Sequence, residues 1–168
     1  MHPCRVLFIC TGNSARSILC EATLNHLGQG RFEAFSAGNR PTGQVHLAAI
    51  KQLETLGLAT DRLASKSWDR FVEADAPTLD IVITVCDNAV REACPMFSGD
   101  FVRSHWGLPD PAVAAPEAIE EAFRRTHQQI RRRLRDLVKL PVETMRRDEL
   151  QRALDYIGTI TSDDEATA

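Results

Sequence analysis

The segment 5-RVLFIC-10 carries a run, residues 6–9, that is apolar at every position and then stops at a cysteine. A strand with no polar side must be covered on both faces, which an isolated hairpin cannot do. Comparable runs recur at residues 32–36, 79–85 (LDIVITV) and 101–106. Between them lie helical patterns at 14–27 and 45–56, the second ending near Gly57, where glycine can take a left-handed cap. A long helix follows, opened by Pro116 and stopped before Pro141, with Ile119, Ala122, Phe123, Thr126, Ile130, Leu134, Leu137 and Val138 along one face. Strands alternating with helices predict an α/β chain with a parallel sheet between helical layers.

At 168 residues and 43% apolar content, one compact domain with a single large core is expected. The formal charge of -3 gives no support to nucleic acid or membrane-surface binding, and the local cluster Arg131, Arg132 and Arg133 reads as a solvated helix face. No stretch approaches the ~20 apolar residues of a membrane helix, and the N-terminus lacks the zones of a signal peptide, so the expected location is cytoplasmic. Five cysteines are an odd count in a chain too long for a disulfide scaffold, which favours reactive thiols. Beyond Pro141, Met145, Leu150, Leu154 and Ile157 mark a short docking helix, and residues 162–168 an acidic, disordered tail.

In an open parallel sheet ligands bind beyond the carboxyl ends of the strands, and Cys10 stands at such an end. Gly12 permits tight backbone geometry, and the N–H groups of the loop and of the next helix can converge on an anion. Arg16 adds a planar fork of donors suited to a tetrahedral oxyanion. The same field predicts a lowered pKa and a nucleophilic thiolate at Cys10, so the loop binds an oxyanion and attacks it. The plain alternative is a buried structural cysteine before a surface arginine. A nucleotide-binding Walker loop is disfavoured, since no Gly-Lys-Ser/Thr opens the helix.

The loop 10-CTGNSARS-17 resembles the anion loop of the low-molecular-weight tyrosine phosphatase fold, and specifically that of its arsenate reductase branch. Glu21, 35-FSAG-38, 83-ITVCDNA-89 with 94-CP-95, and 105-HWGLPDPA-112 extend the likeness. It spans roughly residues 5 to 140, which sets the expected domain at 1–140 and leaves 141–168 as a C-terminal extension. The resemblance implies a three-layer α/β/α fold with four parallel strands in the order 2-1-3-4. It implies that Thr11, Gly12, Asn13, Ser14, Ala15, Arg16 and Ser17 hold the oxyanion, that Ser17 hydrogen-bonds Cys10, and that Asp110 is the general acid. Phosphatases of this fold commonly carry tyrosine after the Asp-Pro pair; Ala112 stands there, which favours a small inorganic substrate.

By the same resemblance the reaction is arsenate reduction, with Cys10, Cys86 and Cys94 as a thiol cascade. No bound cofactor or metal is expected. The external reductant is thioredoxin in preference to glutathione and glutaredoxin. Residues 87–93 between the two later cysteines are one longer than the usual spacing of the branch. If that segment is helical, Cys86 and Cys94 lie about 12 Å apart, beyond the ~7 Å of a disulfide, and oxidation must unwind it. Some relatives hold potassium beneath the loop with residues matching Asn13, Glu21 and Ser36; Lys66 here takes the place of an aspartate of that set, so its ammonium is expected to pair with Glu21. Cys4 and Cys20 stay outside the mechanism. Two other functions compete: a phosphatase of the same fold, and a non-enzymatic thiol module that binds arsenite or senses oxidants, for which a general acid at Asp110 has no use.

Overall fold

The computed structural model describes residues 2–86, 97 and 99–161. Four strands, β1 (Cys4–Cys10), β2 (Phe32–Gly38), β3 (Ile81–Thr84) and β4 (Val102–His105), form one parallel sheet in the order β2-β1-β3-β4. Val6, Leu7, Phe8 and Ile9 are all fully buried, so both faces of the sheet are covered, as the uninterrupted apolar run requires.

Among the described residues four α-helices accompany the sheet: α1 (Arg16–Gly28), α2 (Leu47–Thr55), α3 (Ile119–Lys139) and α4 (Arg147–Ile157). α1 packs on β1 and β2 and against α3, and residues 17–24 are buried at every position. α3 buries Phe123, Thr126, His127, Ile130, Arg133, Leu134 and Leu137, the stripe that its spacing predicts, with two titratable side chains inside it. His127 accounts for one of them by joining three helices: its ring bonds Thr23 Oγ1 of α1 at 2.8 Å and Gln52 Nε2 of α2 at 3.0 Å. Burial pushes its pKa down to about 4.

Two boundaries near the site and one reading of exposure differ from the sequence analysis. β2 runs on to Gly38, because Cys10 pairs with Gly38 and Gly38 is bridged to Ser67. α1 starts at Arg16, since Asn13 adopts φ 46° and residues 14 and 15 complete the loop. The reading of Arg131 to Arg133 as a solvated face is corrected at Arg133, which is 3% exposed and donates to two backbone carbonyls.

Leu150, Leu154 and Ile157 of α4 join the same apolar core as the sheet. The helix lies along β4, the outermost strand. Arg147 donates to the carbonyls of Asp100 and Phe101, and Gln151 to that of Arg103. The unwinding segment expected at 87–93, Cys94 and the acidic tail at 162–168 lie outside the described residues. Among the described residues no helix is long and apolar enough to cross a membrane.

Candidate active site

Cys10 ends β1 and is 2% exposed, with the loop 11–15 leading directly into α1. The carbonyls of Thr11, Gly12 and Ser14 accept hydrogen bonds from the N–H groups of Arg40, Thr42 and His46, each at 3.0 Å. Ser65 Oγ also donates to Gly12. In a planar trans peptide the next N–H points opposite to the carbonyl, so the N–H groups of Gly12, Asn13 and Ala15 are directed away from these donors. That arrangement suits an anion cradle.

Asn13 supports the loop from within. Its Oδ1 accepts the Lys66 N–H at 2.9 Å, which turns its Nδ2 toward Ser17 Oγ at 2.8 Å. The Ser17 oxygen therefore accepts from Asn13, and its own hydrogen is left for Cys10 Sγ, 2.9 Å away. Beneath the loop Ser36 donates to Glu21 Oε1, and Lys66 Nζ stands 3.6 Å from the same oxygen. Burial pushes the Glu21 carboxyl up and the Lys66 ammonium down, and each opposes the shift in the other. An ammonium already faces Glu21, so this set of residues does not fit a bound potassium ion.

The thiol itself departs from the sequence reading. Burial pushes the Cys10 pKa up, while the hydroxyl and N–H of Ser17 and the charge of Arg16 pull it down. The balance is upward, against the lowered value expected from the loop, because the sulfur is nearly inaccessible to water.

Opposite the loop, Asp110 caps a 3-10 turn over Pro111–Val113 and accepts the Ala112 N–H on Oδ1 at 3.0 Å. Its Oδ2 faces Arg16 Nη2 at 3.6 Å, so this second oxygen is the one turned toward the site. Arg16 Nη1 donates to the Leu108 carbonyl at 3.1 Å. From the neighbouring strand comes Cys86, with Sγ 3.2 Å from Thr11 N and 3.4 Å from Thr11 Oγ1. Cys10, Arg16, Asp110 and Cys86 thus gather at one edge of the sheet. Cys4 lies at the far end of β1, roughly 20 Å from Cys10 along the strand; burial holds its thiol up at about 12. Cys20 is buried in α1, and burial raises its pKa as well.

Gly38 is a contributor that local reading overlooks. A Cβ there would stand 2.4 Å from the Thr11 carbonyl oxygen and 2.9 Å from that of Cys10, so only glycine lets β2 pass this close beneath the loop. Its signal was present as the end of 35-FSAG-38. Trp106, Gly107 and Leu108 likewise fall within 105-HWGLPDPA-112, whereas Arg133 had no such signal.

Residues 5–152 match the family model described as low molecular weight phosphotyrosine protein phosphatase. An arsenate reductase of Bacillus licheniformis is 34% identical over 140 residues, which covers 83% of this chain and 95% of that protein. One from Oceanobacillus iheyensis is 31% identical over 139 residues, with the same shares. A solved arsenate reductase in the phosphate binding state matches with a TM-score of 0.62 at 27% identity, over 81% of this chain and 97% of the other. With its cysteine loop, opposing aspartate and 2-1-3-4 sheet, the chain belongs to the low molecular weight phosphotyrosine protein phosphatase family and, within it, to the group that holds the arsenate reductases.

Proposed function

We propose that this protein reduces arsenate to arsenite with Cys10 as nucleophile and Cys86 and Cys94 as the thiols that complete turnover. The observation that carries the reading is Cys86, whose sulfur is hydrogen-bonded to Thr11, the residue next to Cys10. A hydrolase has no use for a second thiol at that point.

Arsenate binds to residues 11–17 with Arg16 spanning its oxygens, as the resemblance implies. The Cys10 thiolate attacks arsenic, and an arsenic oxygen leaves as water, protonated by Asp110. The thiol proton first passes to an arsenate oxygen, and the Ser17 hydrogen bond and Arg16 favour the charged sulfur. The Cys86 thiolate then attacks Cys10 Sγ. The S–As bond breaks and its electron pair stays on arsenic, which leaves as arsenite in the +3 state, with a Cys10–Cys86 disulfide left behind. Attack by Cys94 on Cys86 frees Cys10 as a thiolate, and an external dithiol reduces the Cys86–Cys94 bridge. An intramolecular disulfide as the final oxidised form favours thioredoxin over a glutathione and glutaredoxin couple. Ala112 stands where a tyrosine ring would hold an aromatic ester, which supports the inorganic substrate.

The test is arsenate-dependent NADPH oxidation through each reductant system, for wild type, Cys86→Ser and Cys94→Ser. Turnover with thioredoxin that is lost in both variants is expected. Hydrolysis of an aryl phosphate at wild-type rates in both variants, without arsenate turnover, would replace the reductase by a phosphatase.

A further inference from the structure

The segment from the end of β4 to Asp110 is short, and each of its steps is held from a different direction. Trp106 N–H donates to Thr84 O at 2.7 Å, and Leu108 N–H to Val85 O at 3.1 Å. The Trp106 ring is 2% exposed, and its Nε1 donates to Leu154 O of α4 at 2.9 Å. Gly158, just past α4, lies so close to this ring that a Cβ would come within 2.6 Å of Trp106 Cδ1. The Gly107 carbonyl accepts from Arg133 Nη1 at 3.3 Å, and the Leu108 carbonyl from Arg16 Nη1 at 3.1 Å. Two guanidinium groups, one from α3 and one from α1, therefore grip consecutive carbonyls. Arg133 is also tied through Nε to Ile160 O at 2.9 Å, in the turn that follows α4.

Taking a guanidinium out of water is expensive, and an apolar side chain of similar volume would fill the same space more cheaply. The rigid fork of arginine gives a reason for its presence, because it fixes the two acceptors relative to one another. One acceptor is the C-terminal segment. The other is the carbonyl adjacent to the one that orients the Arg16 fork, and Arg16 in turn faces Asp110 Oδ2.

We infer that Arg133 is a positioning residue, which with α4 and Trp106 sets the placement of Asp110 and Arg16 over the anion loop. The inference rests on the reading of Asp110 as general acid. Arg133 touches neither substrate nor the reacting sulfur. It acts through the peptide of residues 107 and 108, and a displacement there of the order of 1 Å is enough to cost about 10² in rate.

The experiment uses the full chain with Arg133→Met, which keeps bulk and removes the donors, with Arg133→Lys, which restores one, and with Trp106→Phe, which deletes only the indole N–H. Arg133→Met is expected to lower kcat/KM for arsenate about tenfold or more, with a shallower fall in rate at high pH, the limb that a general acid produces. Arg133→Lys recovers part of the loss, and Trp106→Phe shows a smaller one. Amide exchange quickens over residues 105–112 while residues 6–10 keep their protection. Wild-type kcat/KM and pH profile in Arg133→Met overturn the inference. So does a loss accompanied by faster exchange across the whole chain, which marks general destabilisation. If wild type shows no arsenate-dependent thiol oxidation, the proposed function fails, and the exchange contrast between 105–112 and 6–10 still decides whether Arg133 holds the segment.

Discussion

The two loops that face each other across the site are held from different parts of the chain. The anion loop is secured by Asn13 and Ser17 within it, by Ser36, Gly38 and Glu21 beneath it, and by Arg40, Thr42, His46, Ser65 and Lys66, which bond its carbonyls and the Asn13 amide. The acid loop holds little by itself beyond the Asp110 cap; besides Thr84, Val85 and Arg16, it depends on Arg133 and Leu154, 26 and 48 residues away in sequence, with Ile160 behind Arg133. Every support of the anion loop named here precedes β3 in the chain. The acid loop takes much of its aim from α3 and α4, which follow it in the chain.

Asp110→Asn is the sharpest cut through this contrast. It keeps the cap on the Ala112 N–H and removes the proton, so kcat/KM for arsenate should fall by about 10²- to 10⁴-fold. Phosphate affinity, measured by calorimetry, should not weaken, since a negative charge beside Arg16 is lost. Gly38→Ala tests the other loop. The added methyl must displace the Thr11 or Cys10 carbonyl, and a loss of about 10² in kcat/KM is expected together with a clear loss of phosphate binding. Retained phosphate affinity in Gly38→Ala would show that β2 does not shape the cradle.

Acid stability probes the joint behind the anion loop. The folded pKa of His127 is pushed down to about 4, from an ordinary value of 6.5. Between those values the unfolded chain binds a proton that the folded chain does not, so this contribution is complete above pH 6.5 and is lost as pH falls toward 4. It amounts to a loss on the order of 3 kcal/mol between pH 7 and pH 4. Urea unfolding over that range should show a shallower dependence in His127→Gln than in wild type. The smallest effect concerns Lys66. Exchanging sodium for potassium at constant ionic strength should change arsenate turnover by less than about twofold, because the ammonium beside Glu21 is covalently part of the chain. Strong activation by potassium would mean that Lys66 leaves this position.

Legibility in the sequence follows how local each signal is. The strands, the cysteine at the end of β1 and the long helix could be read because apolar runs, periodicity and Gly-Pro punctuation are local properties. The anion loop could be read because its cysteine, glycine, asparagine and arginine all fall within residues 10–16. Arg133 was misread as solvated, since three arginines in a row look alike until tertiary packing turns one inward. Cys10 was assigned a depressed pKa from the donors around it, yet the depth at which β1 buries its last residue outweighs them. Neither depth nor direction of burial is written in a short motif.

β4 is the outermost strand on its side of the sheet, and such an edge ordinarily offers carbonyls to any passing extended chain. Here Arg147 and Gln151 of α4 donate to the carbonyls of Phe101 and Arg103, with side chains standing in for a fifth strand. The C-terminal helix therefore also guards against sheet-to-sheet aggregation. A chain shortened before Arg147 would uncover a self-complementary edge, and its first symptom at high concentration would be turbidity.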